Sequence, residues 1–254
     1  MTGPVPSTGR TDLGSNPVTA PLPPTPKWGR PVGQVRTFHA RRNRLTPTQA
    51  SALTRYRDSW LLPLDGKPLD LPGVFGRTAP VVLEIGFGMG DATACMAADD
   101  PDTDVLAVDV HTPGVGQLLD HAGRRRLTNV RVIQGDAVEV VAQMIGPETL
   151  SGVRVFFPDP WPKSRHRKRR LIQPAFVSML ASRIKPDGYL HCATDWEPYG
   201  EQMLDVVADE PLLHNPHCGF APRPESRPTT RFERRGLARG HRVVDVMATR
   251  TLGE

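Results

Sequence analysis

The chain has 254 residues, of which 38% are hydrophobic, enough for one large domain with a single core and marginal for two. Its formal net charge of +5 favours anionic partners, and its three cysteines, odd in number and not closely paired, argue against a disulfide framework or a zinc site. No apolar run reaches membrane-spanning length and no signal-peptide core follows Met1, so we expect a protein of the reducing cytoplasm with no membrane association.

The first 34 residues are rich in Pro, Gly, Ser and Thr and nearly lack large apolar side chains. Such a segment cannot bury enough apolar surface to offset the entropy lost on ordering. We therefore predict a disordered tail at 1–34, followed by one domain at 35–254.

Residues 35–60 combine six arginines with three aromatic side chains. The pattern predicts a basic arm that leads into a helix beginning near Pro47, with Thr46 as its N-cap. The alternative is a solvated helix whose arginines lay their apolar stems along the protein surface.

From Pro80 onward, strand-like and helix-like segments alternate along the sequence. Apolar runs predict strands at 80–85, 104–110, 129–134, 153–157 and 188–193, and a last strand at 241–250. Amphipathic stretches predict helices at 91–99, 112–127, 136–145, 174–185 and 198–209. This alternation is typical of βαβ units. We therefore predict an α/β fold with a mostly parallel, doubly wound sheet and helices on both of its faces.

Several of these helices have recognisable boundaries. Thr112 before Pro113 predicts an N-cap followed by proline at the first helical position, and Asp136 with Glu139 resembles a capping box. The Lys-Pro-Asp-Gly segment at 185–188 predicts the end of one helix and a turn into the next strand.

A glycine-rich turn follows the strand at 80–85 and contains Gly86, Gly88 and Gly90. Glycine allows the backbone to approach a ligand closely. The G-x-G-x-G spacing differs from the G-x-G-x-x-G of dinucleotide sites, and Asp91 at the helix start disfavours a phosphate. S-adenosylmethionine, which carries a sulfonium and an ammonium and no phosphate, suits these acids better. The alternative is a tight strand-to-helix turn without a ligand.

Acidic residues end three successive strands. Glu84 precedes the glycine turn, and Asp109 ends the next strand at the spacing used to bind ribose hydroxyls. Asp136 follows the third strand and either meets an adenine edge or simply caps a helix. Together these acids favour a nucleoside-like ligand over a turn without one.

A carboxylate and an indole, Asp159 and Trp161, stand between prolines directly after the strand at 153–157, and a cationic run follows at once. Such a segment suits an enzyme that grips one base while holding the phosphate backbone. A short basic run alone more often marks a surface patch or a nuclear-import signal, but that leaves the Asp-Pro-Trp-Pro sequence unexplained. Trp161 either stacks on an extracted base or packs under the turn.

With these motifs the chain resembles the bacterial tRNA (guanine-N7-)-methyltransferases, the TrmB-type family of class I S-adenosylmethionine-dependent enzymes. The resemblance runs from about Arg36 to Arg250, and its motifs are Leu83–Gly90, His111–Val115, Pro158–Lys163 with the cations up to Arg170, Thr194–Tyr199 and Thr230–Gly236. The glycine motif is generic to methyltransferases, whereas the Pro158 motif with the two later ones is specific. The resemblance implies a Rossmann-like class I methyltransferase fold with an antiparallel last strand. It also implies methyl transfer from S-adenosylmethionine, without a metal, to N7 of guanine 46 in the tRNA variable loop.

The resemblance also implies roles for individual residues. The S-adenosylmethionine site would be lined by Glu84, Gly86, Gly88, Gly90, Asp109, Asp136 and Asp159. The substrate would be contacted by Lys163, Asp195, Thr230, Arg231, Phe232 and Glu233. The RNA would be held by Arg165, His166, Arg167, Lys168, Arg169 and Arg170. Without the resemblance, Thr230 and Glu233 would be interpreted as part of a surface loop with an ion pair to Arg234 or Arg235.

Three positions depart from the family pattern. The family usually has Glu where this chain has Asp109, Lys where it has Arg231, and a basic residue where it has Ser164. The shorter carboxylate of Asp109 can still accept a hydrogen bond from a ribose hydroxyl, but it reaches less far toward a second one.

Guanine N7 has a free lone pair at neutral pH, so methyl transfer is an in-line displacement that needs no strong base. The protein must supply alignment, exclusion of water and stabilisation of the positive charge that appears on the purine. We predict that Asp159 is the catalytic residue, facing both the methyl donor and the base. The alternative is that Asp159 only caps the turn formed by Pro158–Pro162, called here the proline-rich turn.

Three other functions compete with this one. The first is methylation of a small molecule, which the cationic run argues against. The second is a non-catalytic RNA-binding protein on a methyltransferase scaffold, which the intact acids argue against. The third is a nicotinamide-dependent oxidoreductase, which the glycine spacing disfavours. The sequence does not decide between a monomer and a homodimer, and it does not indicate which tRNA species are accepted.

Overall fold

The computed structural model describes residues 37–38 and 44–252, which belong to one compact unit, Gln34–Glu254. The predicted tail at 1–34 and much of the basic arm lie outside the described residues. The helices are α1 (Pro47–Trp60), α2 (Leu71–Phe75), α3 (Asp91–Asp99), α4 (Thr112–Arg125), α5 (Ala137–Gln143), α6 (Pro174–Arg183), α7 (Glu197–Ala208) and α8 (Arg231–Leu237). The strands are β1 (Leu61–Leu62), β2 (Val81–Ile85), β3 (Asp104–Asp109), β4 (Val130–Gln134), β5 (Leu150–Phe156), β6 (Ile184–Thr194), β7 (Leu213–His214) and β8 (Val244–Arg250). A 3₁₀ helix spans Ser164–Arg169.

The eight strands of the described residues form one sheet in the order β1-β4-β3-β2-β5-β6-β8-β7. The pairs from β1 to β6 are parallel, and β8 runs antiparallel to both β6 and β7. This confirms the predicted Rossmann-like sheet with its antiparallel last strand. Because the parallel strands point the same way, the loops that follow them meet at one edge of the sheet, where ligands bind in open α/β folds.

Buried apolar side chains lie on both faces of this sheet. Leu83 of β2 and Leu106 of β3 belong to a core shared with α2, α5, α6 and α7. Ala107 of β3 and Val132 of β4 belong to a second core shared with α1, α3 and α4. Strands that are enclosed on both faces appear in a sequence as continuous apolar runs, which is why they were predictable. The doubly wound arrangement is confirmed.

The helix boundaries agree with the prediction at α1 and differ at α4. Thr46 caps α1 in a full capping box, because Gln49 N donates to its hydroxyl at 3.3 Å and Thr46 N donates to the Gln49 side chain at 3.0 Å. The N-cap of α4 is His111, and the Thr112 hydroxyl instead accepts from Gln134 Nε2 at 2.8 Å. The prediction of Thr112 as an N-cap is therefore wrong by one residue.

The turn predicted at 185–188 lies inside β6. Helix α6 ends two residues earlier, at Arg183, and pairing with β5 shifts register between Leu150 and Gly152. Asp187 has a φ of 65°, as expected where extra residues must be accommodated in a strand. Three further unpredicted elements, α2, β1 and β7, have two to five residues, too few to show a periodic pattern.

No helix of the described residues is both long and apolar enough to cross a bilayer.

Candidate active site

The glycine turn between β2 and α3 packs against α4 on one side and is open on the other. Gly86, Gly88 and Gly90 have φ values of 77°, 61° and 73°, a region that favours glycine. A β-carbon added at Gly86 or Gly88 would meet nothing within 4 Å. Below the turn lies α4, where a β-carbon added at Gly114 would overlap the Gly88 carbonyl oxygen. The turn therefore rests on α4 and leaves room for a ligand on its other side.

Asp109, at the end of β3, fixes the shape of this turn. Its Oδ2 accepts from Gly88 N at 2.8 Å, and its Oδ1 accepts from His111 N at 2.9 Å. Burial raises the pKa of Asp109 to about 6, against the lowering effect of these backbone donors, and the charge of Asp159 adds to the rise. Each carboxylate oxygen has a second lone pair, so Asp109 can hold the turn and still accept a hydrogen bond from a ligand.

Glu84 carries a buried oxygen without a partner. The residue is 3% exposed, and its Oε1 accepts from the Thr93 hydroxyl at 2.9 Å. Its Oε2 has no hydrogen-bond partner among the described residues. Burial raises the pKa of Glu84, and the charge of Arg154, its register partner on β5, opposes that rise. Buried polar atoms are seldom left unpaired, so this oxygen is suited to accept a donor from a ligand.

The structure places Asp136 and Asp159 at the same edge of the sheet. Asp136 is 5% exposed and caps α5 by accepting from Val138 N at 3.1 Å, so the capping interpretation is confirmed. Its contact with an adenine edge stays a prediction. Asp159 follows β5, the parallel neighbour of β2, and lies near enough to Asp109 to raise the pKa of that residue. The carboxylates predicted to converge therefore do so on one side of the sheet.

Trp161 packs under the proline-rich turn. The side chain is 5% exposed, and its Nε1 donates to the carbonyl of Thr37 at 3.2 Å. The guanidinium of Arg169 lies 4.9 Å from the centroid of the indole, and the ring of His166 meets it edge-on at 5.8 Å. Of the two alternatives for Trp161, packing is therefore correct, and a ring so covered does not stack on an extracted base.

Arg170, predicted to bind RNA, is a buried structural residue. It is 1% exposed; its Nε donates to Pro160 O at 2.9 Å and its Nη1 to Gln202 Oε1 at 2.6 Å. Its guanidinium lies over the ring of Tyr199 at 4.6 Å, and burial lowers its pKa. Arg170 fastens the proline-rich turn to α7, and its predicted RNA contact is wrong because no phosphate can reach it.

The other cations of the run lie on the 3₁₀ helix or beside it. The exposed ones are Lys163, Arg165, Arg167 and Lys168. His166 and Arg169 are half-buried against Trp161. The run thus divides into an outward-facing group and a group that supports the turn, a division that the sequence does not reveal.

The segment predicted as a surface loop around Thr230 is the start of α8. Thr230 and Glu233 form a capping box, since Glu233 N donates to the Thr230 hydroxyl at 3.0 Å and Thr230 N donates to Glu233 Oε2 at 3.3 Å. The T-x-x-E spacing was the signal that could have predicted this helix. The side chain of Arg231 lies outside the described part of the structure.

Glu233 is enclosed by arginines of the preceding loop. It is 1% exposed and pairs with Arg227 at 2.9 Å and Arg223 at 3.3 Å. The predicted ion pair with Arg234 or Arg235 is wrong, because the carboxylate oxygens pair with Arg227 and Arg223 instead. The contact of Glu233 with the substrate stays a prediction. Its function in this position is to hold α8.

Arg227, which no sequence pattern singled out, is the centre of a buried polar network. It is 2% exposed, pairs with Asp245 of β8 at 2.9 Å, and lies over the rings of Phe156 and Phe157 at 5.7 and 5.8 Å. Asp245 in turn contacts His191 Nε2 at 2.7 Å. Through Asp245 and His191, the network connects α8 to strands β8 and β6.

Two predicted substrate residues face the same edge of the sheet. Asp195 follows β6 and lies 3.3 Å from His241 Nδ1, next to Gly236 of α8. Phe232 is 53% exposed, and its ring lies 5.6 Å from that of Phe157, where the proline-rich turn begins. Helix α8 therefore borders the turn that carries Asp159.

No group of three His, Cys, Asp or Glu side chains that could hold a metal ion occurs among the described residues.

Comparison with known proteins decides the family. A family described as "Putative methyltransferase" matches residues 78–246. A tRNA (guanine-N(7)-)-methyltransferase of Streptomyces avermitilis is 57% identical over 85% of this chain and 76% of its own length. One of Paracidovorax citrulli is 49% identical over 98% of this chain and 96% of its own. The chain belongs to the tRNA (guanine-N(7)-)-methyltransferase family. Among solved structures, the 16S rRNA methyltransferase KamB superposes with a TM-score of 0.56 at 16% identity, covering 73% of this chain and 95% of that one, which shows a shared fold.

Proposed function

We propose that this member of the tRNA (guanine-N(7)-)-methyltransferase family transfers a methyl group from S-adenosylmethionine to N7 of guanine 46 in the variable loop of tRNA, in the cytoplasm. The observation that carries the proposal is the position of Asp159. It lies within electrostatic reach of Asp109 beside the open glycine turn, and exposed cations follow it on the 3₁₀ helix. An open glycine turn, a carboxylate and a group of exposed cations thus follow one another along one edge of the sheet, which supports the proposal.

The residues around the glycine turn fit S-adenosylmethionine. The unpaired Oε2 of Glu84 is suited to a cationic donor, Asp109 to a ribose hydroxyl, and the space above Gly86 and Gly88 to close contact with the ligand. When bound, this compound supplies an electrophilic methyl group on a sulfonium. The protein's own residues would hold it and exclude water.

Asp159 would act on the purine. Its carboxylate can accept hydrogen bonds from the N1 and N2 edge of guanine, which fixes the orientation of the base and offsets the positive charge that grows during transfer. The N7 lone pair is free at neutral pH, so no side chain needs to remove a proton beforehand. Lys163, Arg165, Arg167 and Lys168 would hold phosphates, and binding of tRNA should weaken steeply as salt rises.

The direct test is to incubate the protein with labelled S-adenosylmethionine and unmodified tRNA and to map the labelled nucleoside. Label in 7-methylguanosine at position 46 supports the proposal. Label in a free metabolite instead would favour a small-molecule methyltransferase. Calorimetry that detects no binding of S-adenosylmethionine would favour a non-catalytic RNA-binding protein.

Replacing Gly114 with alanine should weaken S-adenosylmethionine binding by about 5- to 150-fold. The added β-carbon overlaps the Gly88 carbonyl, so the glycine turn must move, and overpacking of this kind costs about 1–3 kcal/mol. Calorimetric titration measures the loss. Gly146→Ala is the matched control, because its β-carbon would meet only a Thr149 methyl group, at 3.2 Å. Wild-type affinity in Gly114→Ala would mean that α4 does not support the turn.

S-adenosylmethionine affinity should fall as pH drops through about 6. The carboxylate form of Asp109 accepts a ribose hydroxyl and the turn amides, and with a pKa of about 6 that form is lost on acidification. At pH 5 about one molecule in ten keeps the carboxylate, so the dissociation constant should be about tenfold higher than at pH 8. Titrations across this range test it, and Asp109→Asn should bind weakly with a shallower profile, in which only other acids such as Glu84 still titrate. An equally steep profile in Asp109→Asn would assign the titration to another group.

A further inference from the structure

The charged side chains on the outer surface of residues 232–242, which include most of α8 and the segment after it, are all basic. Arg234, Arg235, Arg239 and Arg242 are exposed there, and Glu233, the one acidic residue in this stretch of sequence, is buried and paired with Arg227. No acidic side chain of the segment therefore offsets its positive charge at the surface.

These arginines have few partners within the protein. Among the described residues, Arg234, Arg235 and Arg239 take part in no ion pair. Arg242 makes an exposed one with Glu197, at 3.2 Å, and its guanidinium lies 5.9 Å from the centroid of the Phe220 ring. Cations in the last turn of a helix stabilise its dipole, which accounts for Arg234 and Arg235. It does not account for Arg239, which lies beyond the end of α8 and takes part in no ion pair among the described residues.

Apolar side chains stand among these cations. Phe232 and Leu237 are 53% and 51% exposed, and they are two of the three large hydrophobic residues that are exposed in the described chain. Arginine beside an exposed aromatic ring is the combination that holds single-stranded nucleic acid, since guanidinium groups bind phosphates and bases stack on rings.

The segment is fixed at the edge of the sheet where the candidate site lies. The capping box and the Arg227 network hold the start of α8, Phe232 contacts Phe157, and Asp195 lies against the end of the helix. A charged surface held so firmly beside the site can meet the substrate without first becoming ordered.

We propose that residues 232–242 form a second RNA-binding surface, which holds phosphates of the same tRNA next to the guanine, in addition to the exposed cations of the 3₁₀ helix. The proposal rests on the proposed function. The ligand is the phosphate backbone of the RNA, held by Arg234, Arg235 and Arg239, with Leu237 against its apolar surfaces.

The test compares two triple variants of equal charge. Arg234→Gln, Arg235→Gln and Arg239→Gln together remove the proposed surface. Arg124→Gln, Arg125→Gln and Arg126→Gln remove three exposed arginines where α4 ends, near the opposite edge of the sheet. Binding of unmodified tRNA is measured at several salt concentrations, together with S-adenosylmethionine affinity and melting temperature.

We expect the α8 variant to bind tRNA more weakly, with a salt dependence of log K that is shallower by about 2 to 3, or about one for each lost phosphate contact. Its S-adenosylmethionine affinity should match the wild type, its melting temperature should fall by no more than the few degrees that the lost helix-dipole interactions of Arg234 and Arg235 explain, and the α4 variant should keep the wild-type salt dependence. If wild-type protein methylates tRNA and both variants lose binding equally or not at all, this inference fails and the proposed function stands. If wild-type protein binds S-adenosylmethionine but neither binds nor methylates tRNA, both fail.

Discussion

Asp159→Ala is expected to lower turnover of tRNA at least about 100-fold. The purine gains a positive charge during methyl transfer, and a carboxylate fixed beside it stabilises that charge more than water would. Removing one such preorganised group typically costs a factor of about 100 to 1000 in kcat. Single-turnover assays with saturating S-adenosylmethionine measure the chemical step apart from binding.

Three comparisons make this result specific. Asp159→Asn keeps the shape of the side chain and should be impaired to a similar degree, since it is the charge that is needed. Asp58→Ala, at an exposed position on α1, should be fully active. In Asp159→Ala the apparent pKa of Asp109 should also fall, because the charge of Asp159 helps to raise it. Normal turnover of Asp159→Ala with an intact fold would remove Asp159 from the mechanism.

Arg227→Met is expected to have the largest effect on stability. Arg227 lies buried between Glu233 and Asp245, and its removal leaves both carboxylates enclosed without their cation. Breaking a buried ion pair in this way costs about 3–5 kcal/mol. For a domain of this size the melting temperature should fall by about 6–20 °C, measurable by calorimetry.

The control for this prediction is Arg242→Met, which removes an exposed ion pair with Glu197 and should change stability by no more than about 1 kcal/mol. The loss in Arg227→Met should also shrink as pH falls. Burial lowers the pKa of His191, and the charge of Arg227 lowers it further. Without Arg227, His191 can take up a proton more readily and compensate Asp245. Equal melting temperatures for the two variants would contradict the proposed network.

The sheet and the glycine turn at its edge were predictable because they depend on local patterns. Strands buried on both faces are apolar along most of their length, as β2 is apart from Glu84 and β3 is between Asp104 and Asp109. A turn that brings the backbone to a ligand needs residues such as Gly86 and Gly88. These constraints act within a few neighbouring residues, so they appear directly in the sequence.

The errors arose where long-range packing decides the role of a residue. Arg169 and Arg170 are adjacent and chemically identical, yet one is half-buried over Trp161 and the other is fully enclosed by α7. Which neighbour points inward depends on the path of the proline-rich turn, which local patterns do not fix. The same holds for Arg227, whose partner Asp245 lies 18 residues further along the chain.

The contact between Trp161 and Thr37 has a practical consequence. The backbone carbonyl that receives the indole hydrogen comes from a position 124 residues earlier in the chain, ahead of α1. Anyone shortening the protein for crystallisation should therefore cut upstream of Thr37. A deletion that extends to the start of α1 would remove the hydrogen-bond acceptor of Trp161, which packs under the turn that carries Asp159. A loss of activity in such a truncated variant would then be misread as a role for the tail.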